Sequence, residues 1–391
     1  MYNDKNTAEA RSTATGVTMK KILLVTSVYT GAGHKSISDS LLEQFAKLPD
    51  VQVQVIDGFE LMGEIGVQSS KLYGFVTRRA RAVWKMAWTV SMAQTPRFTT
   101  MAHLGNRRFT DYIRSFHPDL ILTVHAMFNV TLTRMLEFHG LHIPVVVFQA
   151  DLVNIHRAFC NPKAYMTICP TREAYDCSVR QGMPPEKLVV MGFPTRARFC
   201  DAARAASIPD YDGSRPLRCL MMSGGEGSGN LKAYANEILS NTNATLTIIC
   251  GRNKKLRKHL RESLSSRYGE RVNVLGFVTE VEQEMLNSDL VIARGSPNSM
   301  LEAVVMNIPL IITGALPGQE RDNPQLMQNY NLGVISEDPE DVPLIIRELL
   351  HNGAARLKEI RAAQRAYRNL DNARNIAAYV TELAQPLEYT V

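Results

Sequence analysis

The sequence predicts an α/β protein made of two doubly wound domains that face a cleft, and three observations carry that prediction. Short runs rich in Val, Ile and Leu recur along the chain, each ending in a turn of small or polar residues before an amphipathic stretch. That alternation is expected of buried parallel strands joined by helices. The pattern occurs in two series, on either side of residues 200–216, which are rich in Ala, Asp, Gly, Ser and Pro and read as a linker. A length of 391 residues suits two domains. The expected divisions are a polar, disordered tail at 1–18, a first domain at 19–199, the linker at 200–216, a second domain at 217–368 and a closing helical segment at 369–391.

Composition narrows the class. Hydrophobic residues make up 45% of the chain and charged residues 21%, the balance of a soluble globular protein. No apolar run in the sequence reaches the roughly 18–20 residues a membrane span needs. The stretch 1–18 lacks an apolar core and is not read as a signal peptide. The six cysteines, Cys160, Cys169, Cys177, Cys200, Cys219 and Cys250, form no C-x-x-C pair. They read as small buried thiols in a reducing compartment, and no metal-ligand set is expected. The net charge of +6 is uneven. Residues 71–108 hold eight cations and no acid, a local +8 that leaves −2 for the rest.

The first strand is expected at 21–28, and the loop 30–36, T-G-A-G-H-K-S, leads into a helix at 37–48. The loop is not a P-loop, because that motif needs Gly directly before Lys and four residues between its glycines. His34 stands at the helix start, facing the cleft. It is either a general base or a polar residue that only positions the loop. A second strand follows at 51–56, then the basic window. On a helix Trp84 and Trp88 share a face, with Arg81 and Lys85 adjacent and Arg78 and Arg79 just before. The window is either a solvated basic helix with its aromatics in the core or an interfacial element on an anionic membrane surface. Nucleic acid is set aside because no reader motif accompanies the charge. Strands at 119–124 and 144–149 end at His125 and Asp151. Asp151 could orient a base or hold the acceptor, or could cap the next turn. His156 is a possible supporting partner. Strands at 164–168 and 188–191 complete the domain.

In the linker, Asp210-Tyr211-Asp212 mimics a D-x-D metal motif, but its place outside any strand end makes it a turn. The second series opens with a strand at 217–222 and the loop S-G-G-E-G-S-G at 223–229. There Gly224 and Gly225 would let backbone amides approach a diphosphate or sugar, with Glu226 touching the sugar or polarising the turn. After the strand at 244–250, Arg252 is a candidate diphosphate cation, because its fork matches phosphate oxygens; a surface salt bridge is the alternative. A strand at 272–275 precedes Gly276-Phe277-Val278.

The stretch 289–323 organises the rest. A strand at 290–293 ends in Gly295-Ser296-Pro297-Asn298-Ser299, and a helix begins there. Its N-terminal N–H groups make an anion site, and Glu302, one turn later, could accept from two sugar hydroxyls. After the strand at 309–313, the next loop ends in Gln319 and Glu320, an amide and a carboxylate, with Asn323 beyond. A diphosphate between a ribose and a hexose would use all of these groups. A last strand at 332–335 precedes the helical segment 340–384.

These motifs carry a family resemblance. T-G-A-G-H-K-S at 30–36, A-D-L-V-N-I-H at 150–156, S-G-G-E-G-S-G at 223–229, C-G-R-N-K-K-L at 250–256, G-F-V-T at 276–279 and P-G-Q-E at 317–320, with Asn323, are similar in order and type to the monogalactosyldiacylglycerol synthases and the bacterial diacylglycerol glucosyltransferases. The peptidoglycan GlcNAc-transferase that builds lipid II is a more distant relative. The chain departs from the family at the phosphate turn, where Ser296-Pro297-Asn298-Ser299 replaces a glycine-rich sequence. The resemblance implies a GT-B fold of two Rossmann-like domains, with the last helix crossing back to the first. It implies that the main chain at Phe277 and Val278 pairs with uracil, and it favours His34 as the base, with Asp151 as the other candidate. It favours the membrane for the basic window, with Arg78, Arg79, Arg81, Trp84, Lys85 and Trp88 at the lipid acceptor's entry.

The implied reaction is transfer of a glucose or galactose from a UDP-sugar to diacylglycerol or a related glycolipid, with inversion. One displacement suffices. A base takes the acceptor proton as UDP leaves, and backbone dipoles with Arg252 offset the charge on the diphosphate. The UDP-sugar is a co-substrate, and no cofactor is implied. The implied location is cytoplasmic, peripheral to the inner face of the cell membrane. A transferase acting on a soluble natural product and a UDP-sugar epimerase are the alternatives, and a non-enzymatic UDP-sugar sensor is a third.

Overall fold

The computed structural model describes residues 19–28, 32–70, 81–93, 99–222 and 230–387. The first sheet contains β1 (Lys20–Thr26), β2 (Val51–Asp57), β3 (Leu120–Thr123), β4 (Val145–Phe148), β5 (Met166–Cys169) and β6 (Leu188–Val190), in the order β2-β1-β3-β4-β5-β6. The second contains β7 (Arg218–Met222), β8 (Thr245–Ile249), β9 (Val272–Leu275), β10 (Leu290–Ala293), β11 (Leu310–Ile312) and β12 (Val334–Ile335), in the order β12-β11-β10-β7-β8-β9. Every pairing is parallel. Parallel strands covered by helices on both faces must be apolar throughout. Ile22 to Val25 and Leu120 to Leu122 are accordingly fully buried.

The strand orders locate the clefts. In the first sheet the chain leaves β1 for β2 and then returns to β3 on the other side of β1, so the loops after β1 and β3 diverge. In the second, the same reversal separates the loops after β7 and β10. Ligands of doubly wound sheets bind at such switch points, beyond the carboxyl ends of the strands. His34 and His125 flank the first switch point. The turn Gly295 to Ser299 flanks the second; its partner loop, with Gly224, Gly225 and Glu226, lies outside the described residues.

The linker differs from expectation. The helix Ala197–Ala205 fills the start of the stretch 200–216. Phe199, Cys200 and Ala203 bury one helical face there, and alanine-rich sequence favours helix. The rest is pinned: Arg361, itself buried, donates to the carbonyls of Ile208 and Pro209 and pairs with Asp210 at 2.7 Å. Asp212 accepts from the backbone and hydroxyl of Ser214, which forms a turn. The last helix, Asn372–Leu383, lies on the first domain, where Lys20 Nζ donates to the Thr381 carbonyl (2.8 Å) and the Leu387 N–H to Asp119 (2.9 Å).

Candidate active site

The helix Ala32–Phe45 carries His34 at its start. His34 Nδ1 lies 2.9 Å from the carbonyl oxygen of Val124, at the end of β3. A carbonyl only accepts, so Nδ1 holds the proton and Nε2 keeps its lone pair. Burial pushes the imidazole pKa down to about 4, with the Val124 contact opposing. The ring is therefore neutral at physiological pH, in the tautomer a base requires. It lies against His125, ring centroids 4.4 Å apart.

Asp151 follows β4 and is buried. Burial raises its pKa to about 7; a hydrogen bond from Gln319 lowers it and the Glu320 charge raises it. That hydrogen bond, Gln319 Nε2 to Asp151 Oδ1 at 2.7 Å, joins the two domains across the cleft. The two residues therefore meet, although the sequence assigned them to opposite substrates. His156 has a local role. Its Nδ1 accepts from the Ala158 N–H, its Nε2 lies 2.9 Å from Ser91 Oγ, and its ring packs edge-on against Trp88.

The second domain brings a helix terminus to the same cleft. The helix Pro297–Val305 starts after Ser296 without a side-chain cap, and the Ser296 hydroxyl donates to Ser299 Oγ (3.1 Å). Its first N–H groups remain available to an anion. A Cβ placed on Gly33 would lie 3.5 Å from Asn298 Nδ2, so the glycine loop beside His34 directly faces this terminus.

Other candidates are placed differently from the sequence expectation. Glu302 is not an open carboxylate: it is buried and held by Arg196, through Nε at 3.1 Å and through Nη2. Burial raises its pKa and the Arg196 charge opposes that. Glu320 braces its own loop, accepting from the Leu316 N–H at 2.9 Å and facing Arg294 at 3.5 Å. Asn323 is also buried and donates to the Gly295 carbonyl at 3.0 Å, tying the two donor-side loops together. Arg252 lies over the exposed Phe277 ring, 4.3 Å from its centroid. No carboxylate pairs with Arg252 among the described residues. Val278 packs against the core.

The tryptophans face inward. Both lie on the helix Arg81–Ala93. Trp84 is buried, and the Trp88 ring lies over Gly318 of the P-G-Q-E loop. Val83, Met86 and Val90, which are 50–64% exposed, form the outer stripe instead. Arg78 and Arg79 lie outside the described residues, as do the side chains of Arg81 and Lys85. Gly318 has φ +89°, and a Cβ there would sit 2.6 Å from the Trp88 ring. Gly318→Ala should therefore cost about 1–3 kcal/mol in strain and displace Gln319. Melting and the KM for the donor should both worsen; unchanged values would show that the ring and loop are free to separate.

Arg196 and Arg198 were missed in the sequence, and His125 was placed at a strand end without a role. Arg198 faces Glu282 at 3.4 Å and donates to the Thr279 carbonyl. The segment Pro194 to Arg198 carries two arginines, a cue that its role exceeds that of a domain exit. Among the described residues no cluster of three or more potential metal ligands occurs, and no helix is long and apolar enough to cross a membrane.

Residues 34–195 match the monogalactosyldiacylglycerol (MGDG) synthase family and residues 230–352 the glycosyl transferases group 1 family. The probable monogalactosyldiacylglycerol synthase 2, chloroplastic, of Oryza sativa subsp. japonica is 28% identical over 345 residues, 82% of this chain and 72% of the relative. Among solved structures, MurG of Acinetobacter baumannii superposes with a TM-score of 0.63 at 13% identity, covering 93% of this chain and 99% of that one. The UDP-GlcNAc 2-epimerase from Neisseria meningitidis gives 0.61 at 12% identity, covering 93% and 100%. At such identities the structures define the fold alone, and it is GT-B. The fold is shared by glycosyltransferases and by a UDP-GlcNAc 2-epimerase, and it is the two family matches that liken this chain to the glycosyltransferases. The first match is to MGDG synthases, the second to group 1 glycosyl transferases, and most of the chain is similar to the monogalactosyldiacylglycerol synthases.

Proposed function

We propose that this protein is a UDP-sugar-dependent hexosyltransferase that moves its hexose, with inversion, to diacylglycerol or a related glycolipid. The relatives' names favour galactose. The observation that carries the chemistry is the opposition of His34 and the uncapped helix terminus at Ser296 to Ser299, whose loops meet at Gly33 and Asn298. The donor diphosphate rests on that terminus, with Arg252 and the loop at Gly224, Gly225 and Glu226 supplying further positive or N–H groups. Arg196 engages Glu302 Oε1, so the ribose hydroxyls reach its other oxygen, Oε2, while the uracil meets the main chain at Phe277 and Val278 and Gln319 contacts the hexose. His34 Nε2 takes the acceptor's hydroxyl proton from the side opposite the diphosphate. Attack opposite the leaving group inverts the anomeric carbon.

The lipid acceptor places the enzyme at a membrane surface. The exposed stripe of Val83, Met86 and Val90 enters the headgroup boundary there, and the cations that neighbour it in the sequence, Arg78, Arg79, Arg81 and Lys85, meet anionic lipid. Trp84 and Trp88 hold the helix to the protein. Two variants test this by vesicle co-sedimentation. Arg78, Arg79 and Arg81 changed to Glu should abolish binding to anionic vesicles. Val83, Met86 and Val90 changed to Ser should weaken binding about tenfold or more and leave its salt dependence. Wild type that ignores anionic vesicles would end the membrane reading.

The activity itself is tested by a panel of UDP-sugars with and without diacylglycerol vesicles. Sugar transfer to the lipid supports the proposal. Transfer only to soluble alcohols points to a soluble acceptor, and interconversion of the UDP-sugar without transfer points to an epimerase.

A further inference from the structure

We propose that His125 orients the acceptor hydroxyl for His34, by donating a hydrogen bond from Nε2–H to the attacking oxygen. The inference rests on the reading of His34 as base and adds a second group to the acceptor site.

His125 ends β3 at the switch point and caps the helix Ala126–Phe138. Its Nδ1 accepts the Met127 N–H at 3.3 Å. An accepting Nδ1 carries no proton, so in the neutral ring the proton sits on Nε2. The ring is 4% exposed. Phe59 and Phe128 close its other sides, with centroids 5.6 and 5.1 Å away. Among the described residues nothing accepts from Nε2–H. The ring of His34 is the neighbour on the remaining side, at 4.4 Å.

The two imidazoles thus present complementary atoms. Backbone contacts fix the tautomers in opposite senses: Val124 leaves His34 Nε2 as an acceptor, and Met127 makes His125 Nε2 a donor. A hydroxyl group is both donor and acceptor and satisfies both at once. In the transfer, the hydroxyl hydrogen passes to His34 Nε2 while the oxygen's electron pair forms the bond to the anomeric carbon. The bond from that carbon to the diphosphate oxygen breaks, and its electrons leave with UDP. His125 keeps its proton throughout. Burial holds its pKa well below the ordinary histidine range, and the neighbouring His34 charge lowers it further, so it stays a neutral donor while His34 becomes cationic.

The test compares His125→Gln with His125→Met. The two side chains are similar in size and flexibility, but only Gln supplies an N–H. With diacylglycerol vesicles as acceptor and matched UDP affinity by calorimetry, the Met variant should lose at least about tenfold more kcat/KM for the acceptor than the Gln variant. The KM for the donor should not move in either. Equal rates for Gln and Met would overturn the proposal. If the Met variant fails to bind UDP, His125→Phe, which keeps the contacts to Phe59 and Phe128, takes its place against Gln under the same criterion. His34→Ala is run alongside. If it transfers at the wild-type rate, the base reading falls, whatever His125 does. If it is inactive while Gln and Met transfer equally, this inference alone is lost.

Discussion

His34→Ala is expected to lower the rate of sugar transfer by about 10²–10⁴-fold, the usual loss on removing a general base, while UDP binds as before. The donor groups all lie in the second domain, and the imidazole reaches them only across the cleft. The pH profile sharpens the test. A base works deprotonated, so its rate falls tenfold per pH unit below its pKa and is level above it. His34 is pushed down to about 4, so wild-type kcat/KM should be level from about pH 6 to 8. Asp151 is pushed up to about 7. If Asp151 is the base, kcat/KM instead climbs steeply between about pH 5 and 7. An inactive His34→Ala with a level profile assigns the base to His34. Retained activity, or a limb near 7 that Asp151→Asn removes, moves the role to Asp151.

The features legible in the sequence are those set by neighbours along the chain. The run Ile22 to Val25 had to be a buried strand, because four consecutive aliphatic residues leave no face for water. A histidine just beyond such a strand, on a glycine loop, had to lie at a strand end. The Asp210-Tyr211-Asp212 turn was legible for the same reason: a short polar side chain finds its partner two residues on, at Ser214. What escaped was pairing over distance. Arg196 meets Glu302 across 106 residues and Gln319 meets Asp151 across 168. Neither partner carries a local mark of the other. Trp88 shows the same limit. Helical spacing placed Trp84 and Trp88 on a common face, but it could not say that this face meets Gly318 while Val83, Met86 and Val90 look out. The alanine-rich stretch after Ala197 misled in another way, because small residues serve helices and linkers alike.

The pairing at Glu302 governs the second large effect. Glu302→Ala should weaken UDP binding by one to two decades, since hydrogen bonds to a charged group contribute roughly 1.5–3 kcal/mol and tenfold in affinity is about 1.4 kcal/mol. The structure adds a second consequence. Removing one partner of a mostly buried ion pair strands the other, and Arg196 would be left without its carboxylate. The variant should therefore also melt lower, by an amount reduced because Arg196 keeps some contact with water. Arg196→Ala separates the two effects. If Glu302 holds the ribose itself, Arg196→Ala loses stability but less UDP affinity than Glu302→Ala, and the double variant binds UDP no worse than Glu302→Ala alone. If the pair serves only to latch the domains, the two single variants should melt alike and bind UDP alike. A folded Glu302→Ala with wild-type UDP affinity in calorimetry would remove the ribose role altogether. The carboxylate would then be an interdomain contact, and the donor's sugar hydroxyls would have to find partners elsewhere on the loops after β10 and β11.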